Sequence, residues 1–198
     1  MSQSTGSLRD VKARDLAEQL LDGVGTRLAH SAAVAAQAYR VAPLLPQPWR
    51  DVLVDAAWLH DIGYAPQLAH ARFHPLDGAR WLRSSGWDEH VCRLVAGHSR
   101  ALIEARLRGL DQDLIAEFEP APELPAAALT WADLTSSPHG QRCTFEVRLA
   151  EILDRYSHGP VRDAAKTNES AWSRDVTLIE QLLGSADVGD RKHPPPVP

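Results

Sequence analysis

The apolar positions of this chain recur every three or four residues, and alternation at two is too brief anywhere to make a strand. Leu53, Val54, Ala57 and Trp58 share helical spacing, so a helix with an apolar face is expected from about Asp51. His60 and Asp61 then fall in its last turn. Gly63 occupies the place of a C′ glycine, which takes the left-handed conformation without steric cost. His30, Val34, Gln37 and Val41 lie along one face of a second helix that begins near Thr26. Behind Asp88, a plausible N-cap, Val91, Leu94 and Val95 form a stripe that His98 extends. Ala126, Leu129 and Asp133 do the same in a helix from Pro125 to about Thr135. A first helix is expected over Arg9 to Leu21, and another opens at Pro75 and closes at Gly86, with His74 at or beside its N-cap. Phe145, Leu149, Ile152 and Tyr156 mark one further helix, and Trp172, Val176, Ile179 and Leu183 the last. With no strand pattern and no internal repeat, the expected fold class is all-α.

The interruptions complete the plan. Pro43, Pro46 and Pro48 end the second helix, and Ala65 to Phe73 reads as a loop. Asp111, Asp113, Glu117, Glu119 and Glu123 cluster around Pro120 and Pro122, so Arg106 to Glu123 is expected to be a solvated loop or mobile flap. Residues 1–8 read as a loose polar N-terminus, 9–184 as a single helical domain, and 185–198 as a disordered Pro-rich tail.

Composition narrows the function. A chain of 198 residues suits one domain with a sizeable core. Its net charge of −5 lacks the basic excess of a general nucleic-acid binder. Cys92 and Cys143 are too few for a disulfide framework or a cysteine-based zinc site. No signal-type apolar run and no transmembrane stretch is present, so a cytoplasmic location is expected.

Against this background the polar residues on apolar faces stand out. His30, His60, Asp61, His98 and Asp133 all lie on such faces, and His74 opens another helix. Burying an unpaired carboxylate is expensive, and a cation would supply the missing partner. Histidine with carboxylate suits Mn²⁺, Fe²⁺, Co²⁺, Ni²⁺ or Zn²⁺, whereas Mg²⁺ prefers oxygen ligands throughout. The spacing matches neither a zinc finger nor a His-Glu-x-x-His protease.

The order His30, His60-Asp61, His74, His98, Asp133 on successive helices resembles the HD-domain superfamily of metal-dependent phosphohydrolases. Arg27-Leu28-Ala29-His30-Ser31 looks like the family's first-histidine helix, and Leu59-His60-Asp61-Ile62-Gly63 like its name-giving motif. His74-Pro75-Leu76-Asp77-Gly78-Ala79 resembles the segment of its third histidine, and Ala132-Asp133 the closing aspartate. The resemblance implies a compact helical bundle in which His30, His60, Asp61 and Asp133 hold one metal ion. His74 and His98 would hold a second, bridged by Asp61. It also implies a hydrolase that uses metal-activated water, oriented by Asp61, on a nucleotide or other small phosphate ester. Symmetrical cleavage of dinucleoside polyphosphates is the narrower expectation, because small HD hydrolases of that kind share the ligand order. Many members carry lysine after the motif glycine, where this chain has Tyr64. Arg72, Arg80 and Arg100 are the positional candidates for the phosphate contact made there. Two alternatives accompany this reading: a di-iron oxygenase of a small molecule on the same fold, and a non-catalytic nucleotide-binding sensor.

Overall fold

The structure, a computed structural model, describes residues 8–191, with side chains described over 12–186. Ten α-helices make up most of the described residues: α1 (Leu8–Leu21), α2 (Arg27–Val41), α3 (Trp49–Leu59), α4 (His74–Ser84), α5 (Glu89–Gly97), α6 (Leu102–Arg108), α7 (Asp111–Glu117), α8 (Glu123–Leu134), α9 (Phe145–Arg155) and α10 (Pro160–Arg191). No strand occurs among them, and one isolated bridge joins Ser136 to Arg142. None of these helices is long and apolar enough to cross a membrane.

Helix α3 is the axis of the bundle. Leu53, Ala56, Ala57 and Leu59 have no exposed surface, and Val52, Val54 and Asp55 are buried beside them. A helix apolar on every side must be surrounded, and α1, α2, α5 and α8 all pack on it. The alanines of α2 and α8 let these neighbours come close: Ala35, Ala38, Ala128 and Ala132 are fully buried. Helix α10 runs across the other side of α8 and along α6 and α9.

Several local expectations are corrected. Gly63 is not a left-handed cap, since it is absent from the residues of positive φ. It sits instead in a short 3-10 turn, Ile62–Tyr64, pressed against the start of α4. A Cβ built on Gly63 would lie 2.1 Å from the His74 carbonyl oxygen and 2.8 Å from the Gly78 nitrogen, so the glycine is required for space. His60 is the C-cap of α3, and Asp61 lies one residue beyond it.

The stretch from Arg106 to Glu123 is not an open loop, because α6 ends within it and α7 lies inside it. Three local features hold α7 in place. Leu114 is buried, Arg80 pairs with both Asp113 and Glu117, and Asp111 and Asp113 occupy the first turn, where the helix dipole favours acids. Between Ala65 and Phe73 the chain makes a further 3-10 turn, Pro66–Leu68. It is then tied down by Asp77, whose carboxylate accepts from Ala71 N at 2.8 Å and Phe73 N at 3.2 Å. Asp88 caps α5 as expected, accepting from His90 N. The first helix begins at Leu8, and the last continues past Gly184 to Arg191. The expectations for residues 1–7 and 192–198 lie outside the described residues.

Candidate metal centre

Three histidines are oriented by the main chain. His60 Nδ1 lies 2.8 Å from Ala57 O, His98 Nδ1 2.6 Å from Val95 O, and His30 Nδ1 3.2 Å from Ser137 O. A carbonyl oxygen only accepts, so in His60 and His98 Nδ1 carries the proton and Nε2 presents a lone pair. For His60 and His98 the accepting carbonyl lies three residues back in the same helix. Each imidazole at a helix end is thus locked by its own last turn.

These Nε2 atoms converge. His30 Nε2 lies 3.0 Å from Asp133 Oδ1, and His98 Nε2 lies 3.1 Å from His74 Nε2. Asp61 Oδ1 is 3.6 Å from His60 Nε2 and 3.5 Å from His74 Nε2, so one oxygen stands between the two rings. A lone pair facing a carboxylate at such a distance repels it unless a cation lies between them. His60 Nε2 is the clearest instance, because it is buried and has no hydrogen-bond partner. A buried polar atom left unpaired costs about 1–3 kcal/mol.

The ligand atoms fall into two groups, His30–His60–Asp133 and Asp61–His74–His98, each with all atoms within 4.8 Å of one another. All six residues singled out in the sequence are therefore brought together. Burial and charge set their protonation. Burial drives His60 down to about 4 and His74 well below its ordinary value, so both are neutral at pH 7. Burial would raise the Asp61 and Asp133 carboxyls. The Arg27 guanidinium beside Asp61, and the His30 hydrogen bond and Arg148 at Asp133, outweigh it and hold both well below the usual range. Neutral imidazoles with ionised carboxylates are the form a divalent ion requires.

The residues therefore fit such an ion. The sequence from Arg27 to His158 matches the family model of the HD domain over residues 27–158. This chain belongs to the HD-domain family. No curated protein and no solved structure matched it. At the level of the family, HD domains bind divalent metals and act as metal-dependent phosphohydrolases.

Tyr64, the residue after the motif glycine, is packed between a ligand histidine and an arginine. Tyr64 stacks on His74 with ring centroids 4.0 Å apart, and the Arg27 guanidinium lies 3.7 Å over the Tyr64 ring. Arg27 Nη1 also donates to Asp61 Oδ2 at 2.9 Å. A cation thus reaches the centre from α2, three residues before His30 and on the same helix face. That spacing is the signal by which the sequence could have disclosed it.

The cleft over the candidate centre has a volume of about 100 Å³ and is lined by Arg27, Arg100, Arg148 and Arg155 together with five of the six ligand candidates, His60 lying beneath. Arg72 and Arg80, expected at the phosphate, do not line it. Arg72 is exposed, and Arg80 is committed to Glu117 and Asp113 on α7. Arg100 does line it, but its guanidinium grips Asp175 through two hydrogen bonds. Arg148 was not foreseen. It is buried beside Asp133 at 3.8 Å, pairs with Glu151, and its Nε has no partner. Its position beside Leu149 in the stripe of α9 is the only trace it leaves in the sequence.

Proposed function

We propose that this HD domain is a metal-dependent hydrolase of small phosphate esters, with His30, His60, Asp133, Asp61, His74 and His98 as its ligands. The buried, unpartnered Nε2 of His60, aimed at two ionised carboxylates, is the observation that carries the reading. Two divalent transition-metal ions held by these residues would polarise a phosphoryl oxygen and acidify water, so that it attacks phosphorus at neutral pH.

The chain's own groups account for the rest. Asp61 lies between the two ligand groups, where its carboxylate can orient the attacking water. Arg27 and Arg148 set fixed positive charge at the cleft, where it can stabilise charge developing on phosphoryl oxygens. The donor set matches the substrate in another way, since guanidinium groups bind phosphate oxygens in pairs. Pockets for drug-sized ligands run to about 300–1,000 Å³, so a cleft of this size suits the phosphoryl group, with the body of a nucleotide outside it. A nucleotide, including a dinucleoside polyphosphate, remains within this class of substrate.

The test is elemental analysis of protein purified without chelator, followed by a screen of phosphate esters with the metal found. Phosphate release that disappears in both His60→Ala and Asp61→Ala, with helical circular dichroism retained, is the expected result. Full activity in Asp61→Ala would refute the mechanism. An iron absorption band with oxygen uptake and no phosphate release would reassign the site to oxygenase chemistry.

A further inference from the structure

Ser99 and Arg100 follow His98 with φ of 48° and 55°, two consecutive non-glycine residues in the left-handed region. Such a pair is unfavourable for side chains with a Cβ and persists only where its surroundings over-determine it. Those surroundings are one face of α10. Trp172 Nε1 donates to Ser99 O at 3.0 Å, and Asn168 Nδ2 donates to Arg100 O at 3.3 Å. Asp175 takes the Arg100 guanidinium at 2.8 and 2.6 Å. Residues 168, 172 and 175 fall on a single helix face, and all three are buried.

The turn they hold touches both ligand groups. His98 Nε2 faces His74, whereas the Ser99 hydroxyl donates to Asp133 Oδ2 at 2.5 Å. A change of backbone conformation at residue 99 therefore moves a ligand of one group and the orienting donor of the other. Helix α10 begins at Pro160, beyond residue 158 where the family match ends.

We propose that α10 is a clamp on this strained turn, and that Asn168, Trp172 and Asp175 are positioning residues for the metal centre. The inference rests on the metal reading above but concerns what shapes the site rather than what it binds. With the clamp loosened, Ser99 relaxes toward ordinary backbone, and His98 and the Ser99 hydroxyl leave their places. Outer partners of metal ligands typically contribute 10–100-fold to affinity, which sets the scale of the effect.

The experiment titrates the full chain with Co²⁺, following visible absorption and calorimetric heats, in wild type, Trp172→Phe and the Trp172→Phe/Asn168→Ala double variant. The double variant is expected to bind its weaker ion on the order of tenfold less tightly, with an altered cobalt spectrum and unchanged helical circular dichroism. Should it fail to fold, Trp172→Phe alone removes one donor while keeping an aromatic ring. Strain is separated from general packing by repeating the clamp changes in two backgrounds. In Ser99→Gly the residue adopts its φ at no steric cost, so the loss should vanish, whereas in Ser99→Ala it should persist. Equal losses in both backgrounds, or an unchanged affinity and spectrum, would overturn the clamp. Amide exchange across residues 98–101 in metal-free protein keeps the two readings apart. Exchange no faster in the clamp variants than in wild type refutes the clamp whatever the metal does. A wild type that binds no cobalt, yet shows faster exchange in the variants, refutes the metal reading and leaves the clamp standing.

Discussion

His30, His60 and Asp133 come from α2, α3 and α8, long helices whose apolar faces meet at the centre of the bundle. Asp61, His74 and His98 come from the residue beyond the C-cap of α3, the first residue of α4 and the C-cap of α5. The first group is placed by core packing, and the second by turns. Burial does not divide them, since the Asp133 side chain of the first group is 11% exposed and the Asp61 side chain of the second 4%. Turns need special residues to hold their shape, and each turn here has one: Gly63 against α4, Asp77 on the loop before it, and the Ser99–Arg100 pair under α10. The packed group should therefore yield only to changes that disrupt the core. The turn group should be separable from it.

The sharpest way to break that distinction is to remove one histidine from each group. His60→Ala should abolish both metal binding and activity, because its Nε2 approaches Asp61 as well as the Asp133 group. His74→Ala should retain a single tightly held ion by elemental analysis. A variant of His74 that lost both ions would show the groups to be one unit.

Metal removal comes next. An ion joining residues of separate helices crosslinks the bundle, and ligand binding to the native state alone stabilises by roughly 4 kcal/mol at a thousandfold excess over Kd. For a domain of this size, chelation should lower Tm by about 8–16 °C. Mn²⁺ or Fe²⁺ should restore it better than Mg²⁺. Coincident melting of chelated and metal-loaded protein would remove the crosslink from the argument.

The glycine seam tests the turn group without touching a ligand. Gly63→Ala forces a Cβ onto the backbone of His74 and should destabilise by about 3 kcal/mol, at the upper end of overpacking changes. Gly78→Ala, whose nearest contact is 3.2 Å, should cost about 1 kcal/mol by denaturant unfolding. Equal effects would mean that the seam is not the point of contact that positions α4.

Arg27 distinguishes binding from scaffolding. Arg27→Gln removes a charge-assisted hydrogen bond at the cleft and should raise KM for a phosphate ester about tenfold, with metal content unchanged. Loss of metal instead would assign Arg27 to holding Asp61.

A last effect is one of pH. In metal-free protein, burial lowers His60 to about 4 from its ordinary value of 6.5. Between those values the unfolded chain binds a proton that the folded one refuses. Stability must therefore fall as pH falls through that window. His60→Gln should flatten that part of the stability profile, as read by urea unfolding at successive pH values.

The sequence by itself determined eight of the ten helices and the six metal-ligand candidates on their faces and ends, because a 3.6-residue period records which face each residue shares; α6 and α7 fall where a loop was expected. The HD motif was legible as a resemblance, carried by Leu59-His60-Asp61-Ile62-Gly63 and the segments around His30, His74 and Asp133. The acidic cluster from Asp111 to Glu123 reads as solvent-exposed, yet Asp113 and Glu117 anchor α7 through Arg80, which local pattern does not reveal. Gly63 was seen, but with the wrong role, since its neighbour is His74 across a turn rather than its own helix. Only the tertiary structure decided which arginines face the cleft and that α10 reaches the turn after His98. Arg27, Arg72, Arg80, Arg100 and Arg148 are chemically identical in the sequence. Their difference lies in which distant carboxylate each one meets, and that depends on how the helices pack rather than on the residues beside them.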